Sequence, residues 1–247
     1  MNYAIDHCEP FDGKKENIWM KAEHVGRYLF AADYFRARGA GKILDVACAE
    51  GFGSAILARA GFSVCGADIN RDYLTAAQKR AKGVFLPCDF ENEDLPAAFS
   101  AADGAVCFET VEHLTGCERL LGGLYRALNA DGRLLLSFPN AAFEKTDENG
   151  VNYDPFHKRI YTPAQMADLV GAAGFVPEAV YGQSACNDFY AKEHAAVREG
   201  RLGQEEVDGL FAYDEGSVLS MGKLIGYPDR VRVEDSYSFL WVLRPEK

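Results

Sequence analysis

Ile43-Leu44-Asp45-Val46-Ala47-Cys48-Ala49-Glu50-Gly51-Phe52-Gly53 is the stretch on which the reading of this chain turns. An apolar run carrying one acid gives way to a turn of small residues, and a helical pattern starts at Phe52. Small side chains let a ligand come close to the backbone, and the first turn of the helix offers N–H groups with no partner inside the helix.

Downstream, short apolar runs alternate with helix-like segments as far as Phe138, the pattern that builds a parallel sheet from βαβ units. Strands are predicted at Lys42–Val46, Ser63–Asp68, Val84–Cys88, Gly104–Phe108 and Arg133–Phe138. Helices are predicted at Phe52–Ala60 and Asp72–Lys82, the second capped by Asn70 and stopped by Gly83. Leu120, Leu121, Leu124 and Leu128 mark the apolar face of another. Thr162-Pro163-Ala164-Gln165 combines an N-cap, a proline at the first helical position and a glutamine at the third, so a helix starts there. A strand around Pro177–Tyr181 follows, and a last one at Tyr237–Leu243. The fold class is α/β, a doubly wound and mostly parallel sheet.

Four acids sit at or just past successive strand ends: Asp45, Asp68, Asp89 and Glu109, each about twenty residues after the last. In a doubly wound sheet such positions line one crevice at the carboxyl edge, where Asp68 is placed to accept both hydroxyls of a ribose. A dinucleotide-binding turn, G-x-G-x-x-G, is the chief rival. Counted from Ala47, it would need glycines where Ala49 and Phe52 stand.

With its turn and its ordered acids, the segment from Lys42 to Tyr181 resembles the class I S-adenosylmethionine-dependent methyltransferases. The resemblance implies a seven-stranded, Rossmann-like sheet. It also implies that the turn Ala47 to Gly51, after Asp45, faces the methionine part of the cofactor. Asp68 with Ile69 would hold the ribose, Asp89 with Phe90 the adenine, and Glu109 would close the same site. The family carries glycine where Ala47 and Ala49 stand, and alanine resists positive φ, so the path of the turn is left open.

Glu109-Thr110-Val111-Glu112-His113 follows the fourth strand directly. If a helical turn begins there, spacings of three and four residues bring both carboxylates and the imidazole together. Two carboxylates and an imidazole suit Mg²⁺ or Mn²⁺, with His157 of Asp154-Pro155-Phe156-His157-Lys158 as a fourth ligand. This E-x-x-E-H is similar to the metal site of the ubiquinone-biosynthesis O-methyltransferases and, with a later histidine, to that of small-RNA 2′-O-methyltransferases. Metal binding by Glu109, Glu112, His113 and His157, metal-free catalysis by Glu112, His113 and His157, and a structural role all fit the motif.

The first forty residues hold a predicted helix, Ala22–Arg38, whose Glu23-His24-Val25-Gly26-Arg27-Tyr28 segment resembles a cap over the cofactor. Arg27 is placed to pair with the cofactor carboxylate and Tyr28 to cover it; a packed or solvated helix face is the competing reading. Residues 183–236 are read as an insert, either a substrate lid or a homodimer contact. The 247 residues are taken as one domain with residues 1–40 as cap.

A net charge of −11 and a pI near 5.0 disfavour polyanionic partners. Neither nucleic acid nor membrane is expected as a partner. The seven cysteines are scattered without a C-x-x-C pair, and no apolar stretch approaches a membrane span, so a cytoplasmic protein with reduced thiols is expected. The expected activity is methyl transfer to a small-molecule hydroxyl, on a sugar or secondary metabolite. The rivals are a non-catalytic cofactor-binding relative and an RNA 2′-O-methyltransferase.

Overall fold

A computed structural model describes residues 8–14, 17–148, 152–210 and 212–247. Seven strands, β1 (Lys42–Val46), β2 (Ser63–Asp68), β3 (Gly83–Pro87), β4 (Ala102–Cys107), β5 (Leu128–Pro139), β6 (Phe175–Tyr181) and β7 (Ser238–Pro245), form one sheet in the order β3-β2-β1-β4-β5-β7-β6. The first five pair in parallel, and β7 runs antiparallel between β5 and β6. The order reverses at β1, which puts the crevice of a doubly wound sheet at its carboxyl end.

Successive strand residues point to opposite faces, so both faces need cover and the strands read as continuous apolar runs. Leu44, Leu134, Leu136, Trp241 and Leu243 pack on the face covered by α4 (Glu118–Ala127) and α5 (Pro163–Ala172). Their neighbours Ile43, Leu135, Leu240 and Val242 face the other way, toward α1 (Ile18–Ala37) and α2 (Phe52–Arg59). The Thr162 cap forms as predicted, a reciprocal box with Gln165 and Pro163 in the first turn.

Several boundaries differ from expectation. The helix after Asn70, α3, covers Arg71–Arg80, and Gly83 opens β3 instead of stopping the helix. The reason is space: a Cβ on Gly83 would lie 2.6 Å from the Val64 carbonyl oxygen on β2. β5 begins at Leu128, which pairs with Ala102 beyond an irregularity in the ladder.

Residues 183–236 fold into α6 (Ser184–Arg198), α7 (Gln204–Asp208) and α8 (Glu215–Leu224). α8 and the residues just past it cross α1 at glycines: a Cβ on Gly26 would lie 1.8 Å from the Gly226 carbonyl oxygen, and one on Gly222 would lie 2.6 Å from Val25. The two segments outside the βα alternation therefore pack on one another, and the first of them, through α1, lines the crevice.

Candidate active site

A cavity of about 640 Å³ opens at the carboxyl end of β1, β2 and β4, roofed by α1. Its floor is the small-residue turn. Ala47, Ala49 and Gly51 all take positive φ, at 57°, 45° and 77°. Alanine therefore follows the glycine path despite its strain, held by hydrogen bonds from Cys48 N–H to Ala67 O and from Gly51 N–H to Cys48 O. Gly51 has no substitute, because a Cβ there would lie 2.7 Å from the Ala77 Cβ.

Asp68 ends β2 and lines the cavity with Ile69. One of its oxygens accepts from Ala49 N–H at 3.0 Å and the other from Asn70 N–H at 2.8 Å, so it also fixes the turn. Asp89 and Phe90, past β3, line the same side. Asp89 accepts from Asn92 Nδ2 and Glu91 N–H, which hold its carboxyl below the ordinary range.

Asp45 stands elsewhere than expected. It is fully buried and does not line the cavity, because its oxygens accept from Tyr28 Oη at 2.9 Å and Ser54 Oγ at 2.5 Å. Burial pushes its carboxyl up to about 6 against these two hydrogen bonds. Tyr28 is thus a strut between α1 and β1 whose ring forms part of the cavity wall, edge-on to Phe52 and Phe108.

Arg27 is buried at 1% exposure beside two carboxylates, with Nη2 3.5 Å from Glu23 and Nη1 3.4 Å from Glu109. Its Nε donates to Gln183 Oε1 at 2.8 Å, and Nη1 has no hydrogen-bond partner. Burial raises Glu23 to about 7, with Arg27 opposing. Burial and Arg27 push His24 down to about 3.

Glu109 does not join Glu112 and His113. Its φ of 45° and the short 3-10 turn Val111–His113 replace the expected α-helical start. The side chain turns instead to Ser137 Oγ at 2.6 Å, Ser238 Oγ at 2.8 Å and Arg27. Burial opposes its charge, but Arg27, Ser137, His24 and Ser238 outweigh it and hold the carboxyl below its usual range. With both oxygens engaged, Glu109 is removed from the expected metal-ligand set.

Glu112, His113 and His157 do come together: each offers a ligand atom, and the three atoms lie within 4.8 Å of one another. Glu112 is buried, neither of its oxygens has a hydrogen-bond partner, and burial followed by the charge of Glu109 drives its carboxyl well above the usual range. His113 Nδ1 lies 3.0 Å from the Phe156 carbonyl oxygen, which can only accept, so Nδ1 carries the proton and Nε2 lies 4.0 Å from Glu112.

Sequence reasoning missed the groups around this cluster. Glu144 lies 2.9 Å from His157 Nδ1. Trp19 and Tyr237 line the cavity with rings 6.5 Å apart, and Tyr190 of α6 backs Trp19 at 4.8 Å. None carries a local motif; long-range packing alone assembles them.

A family model described as a methyltransferase domain matches residues 44–136. The chain is 30% identical over 189 residues to the probable S-adenosylmethionine-dependent methyltransferase of Mycolicibacterium smegmatis, covering 72% of this chain and 70% of that protein. It is also 30% identical over 122 residues to the mitochondrial ubiquinone biosynthesis O-methyltransferase of Schizosaccharomyces pombe, covering 45% of this chain and 43% of that one. Among solved structures, magnesium protoporphyrin IX methyltransferase from Synechocystis PCC 6803, with bound S-adenosylhomocysteine, superposes with a TM-score of 0.57 at 17% identity, covering 95% and 90% of the two chains.

Proposed function

Because the chain belongs to the S-adenosylmethionine-dependent methyltransferases, we propose that it methylates a hydroxyl of a small-molecule acceptor, with Glu112, His113 and His157 managing the proton that the hydroxyl loses. The cofactor supplies an activated methyl group for in-line displacement. The protein's part is to align nucleophile and methyl and to keep water out.

On this reading Asp68 accepts the ribose hydroxyls, Asp89 and Phe90 receive the adenine, and the Ala47–Gly51 turn supports the methionine part. Arg27 Nη1, a buried donor with no hydrogen bond although it stands 3.4 Å from Glu109, answers the cofactor carboxylate. Tyr28 walls the cavity while its hydroxyl stays on Asp45.

The observation that carries the hydroxyl assignment is the Glu112 side chain, buried against two histidines with both oxygens unpartnered. A charged carboxylate in that state is strongly destabilising unless a cation joins it. One carboxylate oxygen and two imidazole nitrogens form a donor set that a divalent ion such as Mn²⁺ or Mg²⁺ fits, and such an ion would lower the pKa of a bound hydroxyl. Without one, His113 and His157 are the bases within reach.

Trp19 and Tyr237 give the acceptor an aromatic wall beside His157, backed by the insert, which acts as a lid. Among the described residues no helix is long and apolar enough to cross a membrane. With the acidic charge of the chain, this supports a cytoplasmic enzyme acting on a small molecule rather than on nucleic acid.

Calorimetric titration of metal-stripped protein with S-adenosylmethionine and S-adenosylhomocysteine, with and without Mn²⁺, tests this. Cofactor binding together with a saturable Mn²⁺ isotherm that Glu112→Ala abolishes is expected. Absence of cofactor binding under every condition overturns the reading. Full turnover by a Glu112→Ala variant would refute the role of the cluster.

A further inference from the structure

We infer that Glu144 is a positioning residue: it fixes the proton of His157 on Nδ1 and so presents Nε2, with its lone pair, to the Glu112 and His113 pair. The inference rests on the reading of Glu112, His113 and His157 as the hydroxyl-activating cluster.

Glu144 does not line the cavity; it stands behind His157, with its side chain 3% exposed. Its Oε2 lies 2.9 Å from His157 Nδ1 and also accepts from Asn152 Nδ2, while Oε1 accepts from Tyr237 Oη at 3.3 Å. The carboxylate is thus held at both oxygens and aimed at one ring nitrogen. An ionised carboxylate can only accept, so the imidazole must donate from Nδ1. His113 shows the same device with a different acceptor, the Phe156 carbonyl, taking its Nδ1 proton. Two histidines of one cluster, each pinned through Nδ1 by an oxygen acceptor, match the way outer oxygen acceptors set the tautomer and raise the basicity of histidines that hold a metal or move a proton.

The backbone keeps Glu144 in place. Thr146 bridges to Asn152 and Tyr153 N–H donates to Lys145 O at 2.9 Å, so the chain doubles back and returns His157 to face Glu144. A residue that merely closed this loop would have no reason to select one tautomer of the imidazole beyond it.

The test uses the full chain, metal-free, labelled with ¹⁵N in its five histidines, and reads long-range ¹H–¹⁵N correlations at a pH where the imidazoles are neutral. His157 is expected to carry its proton on Nδ1. Glu144→Leu shifts it toward Nε2 or to a mixture. Glu144→Gln keeps it on Nδ1, because the amide oxygen can accept from His157 while the amide nitrogen donates to Tyr237. In parallel, Mn²⁺ titration followed by electron paramagnetic resonance should show roughly 10- to 100-fold weaker binding in Glu144→Leu, the usual effect of losing an outer-shell partner. A proton on Nε2 in the unsubstituted protein overturns the inference, with no variant needed. So does an unchanged His157 spectrum in a folded Glu144→Leu. Failure of the unsubstituted protein to bind Mn²⁺ sinks the cation reading alone, since the tautomer decides the role of Glu144 without any metal.

Discussion

The hydroxyl of Tyr28 donates to Asp45 at 2.9 Å, while its ring lies over Gly53 so closely that a Cβ there would sit 2.0 Å from the ring. One side chain thus joins the cap helix α1 to the first strand and to the helix that follows the turn. Its position depends on the absence of a side chain at Gly53.

Tyr28→Phe removes one of the two donors to a fully buried carboxyl and should destabilise the protein by about 1–3 kcal/mol. Gly53→Ala should do more harm, because the aromatic ring has to leave its seat between Phe52 and Phe108. Urea unfolding of the two variants checks this; a Gly53→Ala protein as stable as the parent would show that the ring is not confined there.

Alanine to glycine usually weakens a folded protein, and here the sign should reverse. Ala47 and Ala49 sit at φ 57° and 45°, a region that costs an L-residue about 1–2 kcal/mol. Relief of that strain offsets the extra freedom glycine has in the unfolded chain, worth about 0.4–1 kcal/mol. Ala47→Gly and Ala49→Gly are therefore expected to leave stability unchanged or raise it by up to about 1.5 kcal/mol, with cofactor affinity retained. Gly51→Ala, with Ala77 in the way, should lose cofactor binding as the turn is displaced. Thermal unfolding with and without S-adenosylhomocysteine separates the two cases.

The strand and helix order was legible because a parallel sheet needs apolar runs and the runs are unbroken. β1 and β2 fall on the predicted residues. The start of β5 was not legible, since Asn129-Ala130-Asp131 is exposed and reads as a turn, although Leu128 still pairs with Ala102. At the site, the acids past the strands announced the crevice, and Asp68, Asp89 and Glu109 line it. The location of Asp45 could not be read, because it depends on Tyr28 arriving from another element. As a metal ligand Glu109 was misplaced for a backbone reason: its left-handed φ breaks the helical spacing that would have set it beside Glu112. Glu144, Trp19 and Tyr237 reach the site only through tertiary contacts, which leave no local pattern.

Burial makes stability depend on pH in a defined direction. Asp45 rises from 3.8 to about 6 and Glu23 from 4.5 to about 7, so the folded state holds protons that the unfolded chain releases. Their contribution is complete below about pH 4 and is lost as pH rises through 6 and 7. Glu23→Gln removes one of the two titrations. Relative to this variant, the unsubstituted protein should lose about 3 kcal/mol at most between pH 4 and pH 8, measured by urea unfolding without cofactor. A difference that stays flat across that range would mean that Arg27 keeps Glu23 charged throughout.

Asp68 and Asp89 are both proposed to hold the cofactor, yet they should fail differently when replaced. Asp68 also accepts from the N–H groups of Ala49 and Asn70, so Asp68→Ala unties the turn and removes the ribose acceptor in one step. Loss of hydrogen bonds to a charged group, about 1.5–3 kcal/mol, corresponds to roughly 10- to 150-fold weaker cofactor binding, and the free protein should lose stability as well. Asp89 holds only its own loop, through Glu91 and Asn92, so Asp89→Ala should weaken S-adenosylhomocysteine binding while leaving the unfolding midpoint of the free protein close to its original value. Calorimetric affinity and urea midpoint, measured on the same two variants, give a paired readout: if Asp68→Ala changes affinity alone, the carboxylate serves the ribose and the turn stands without it.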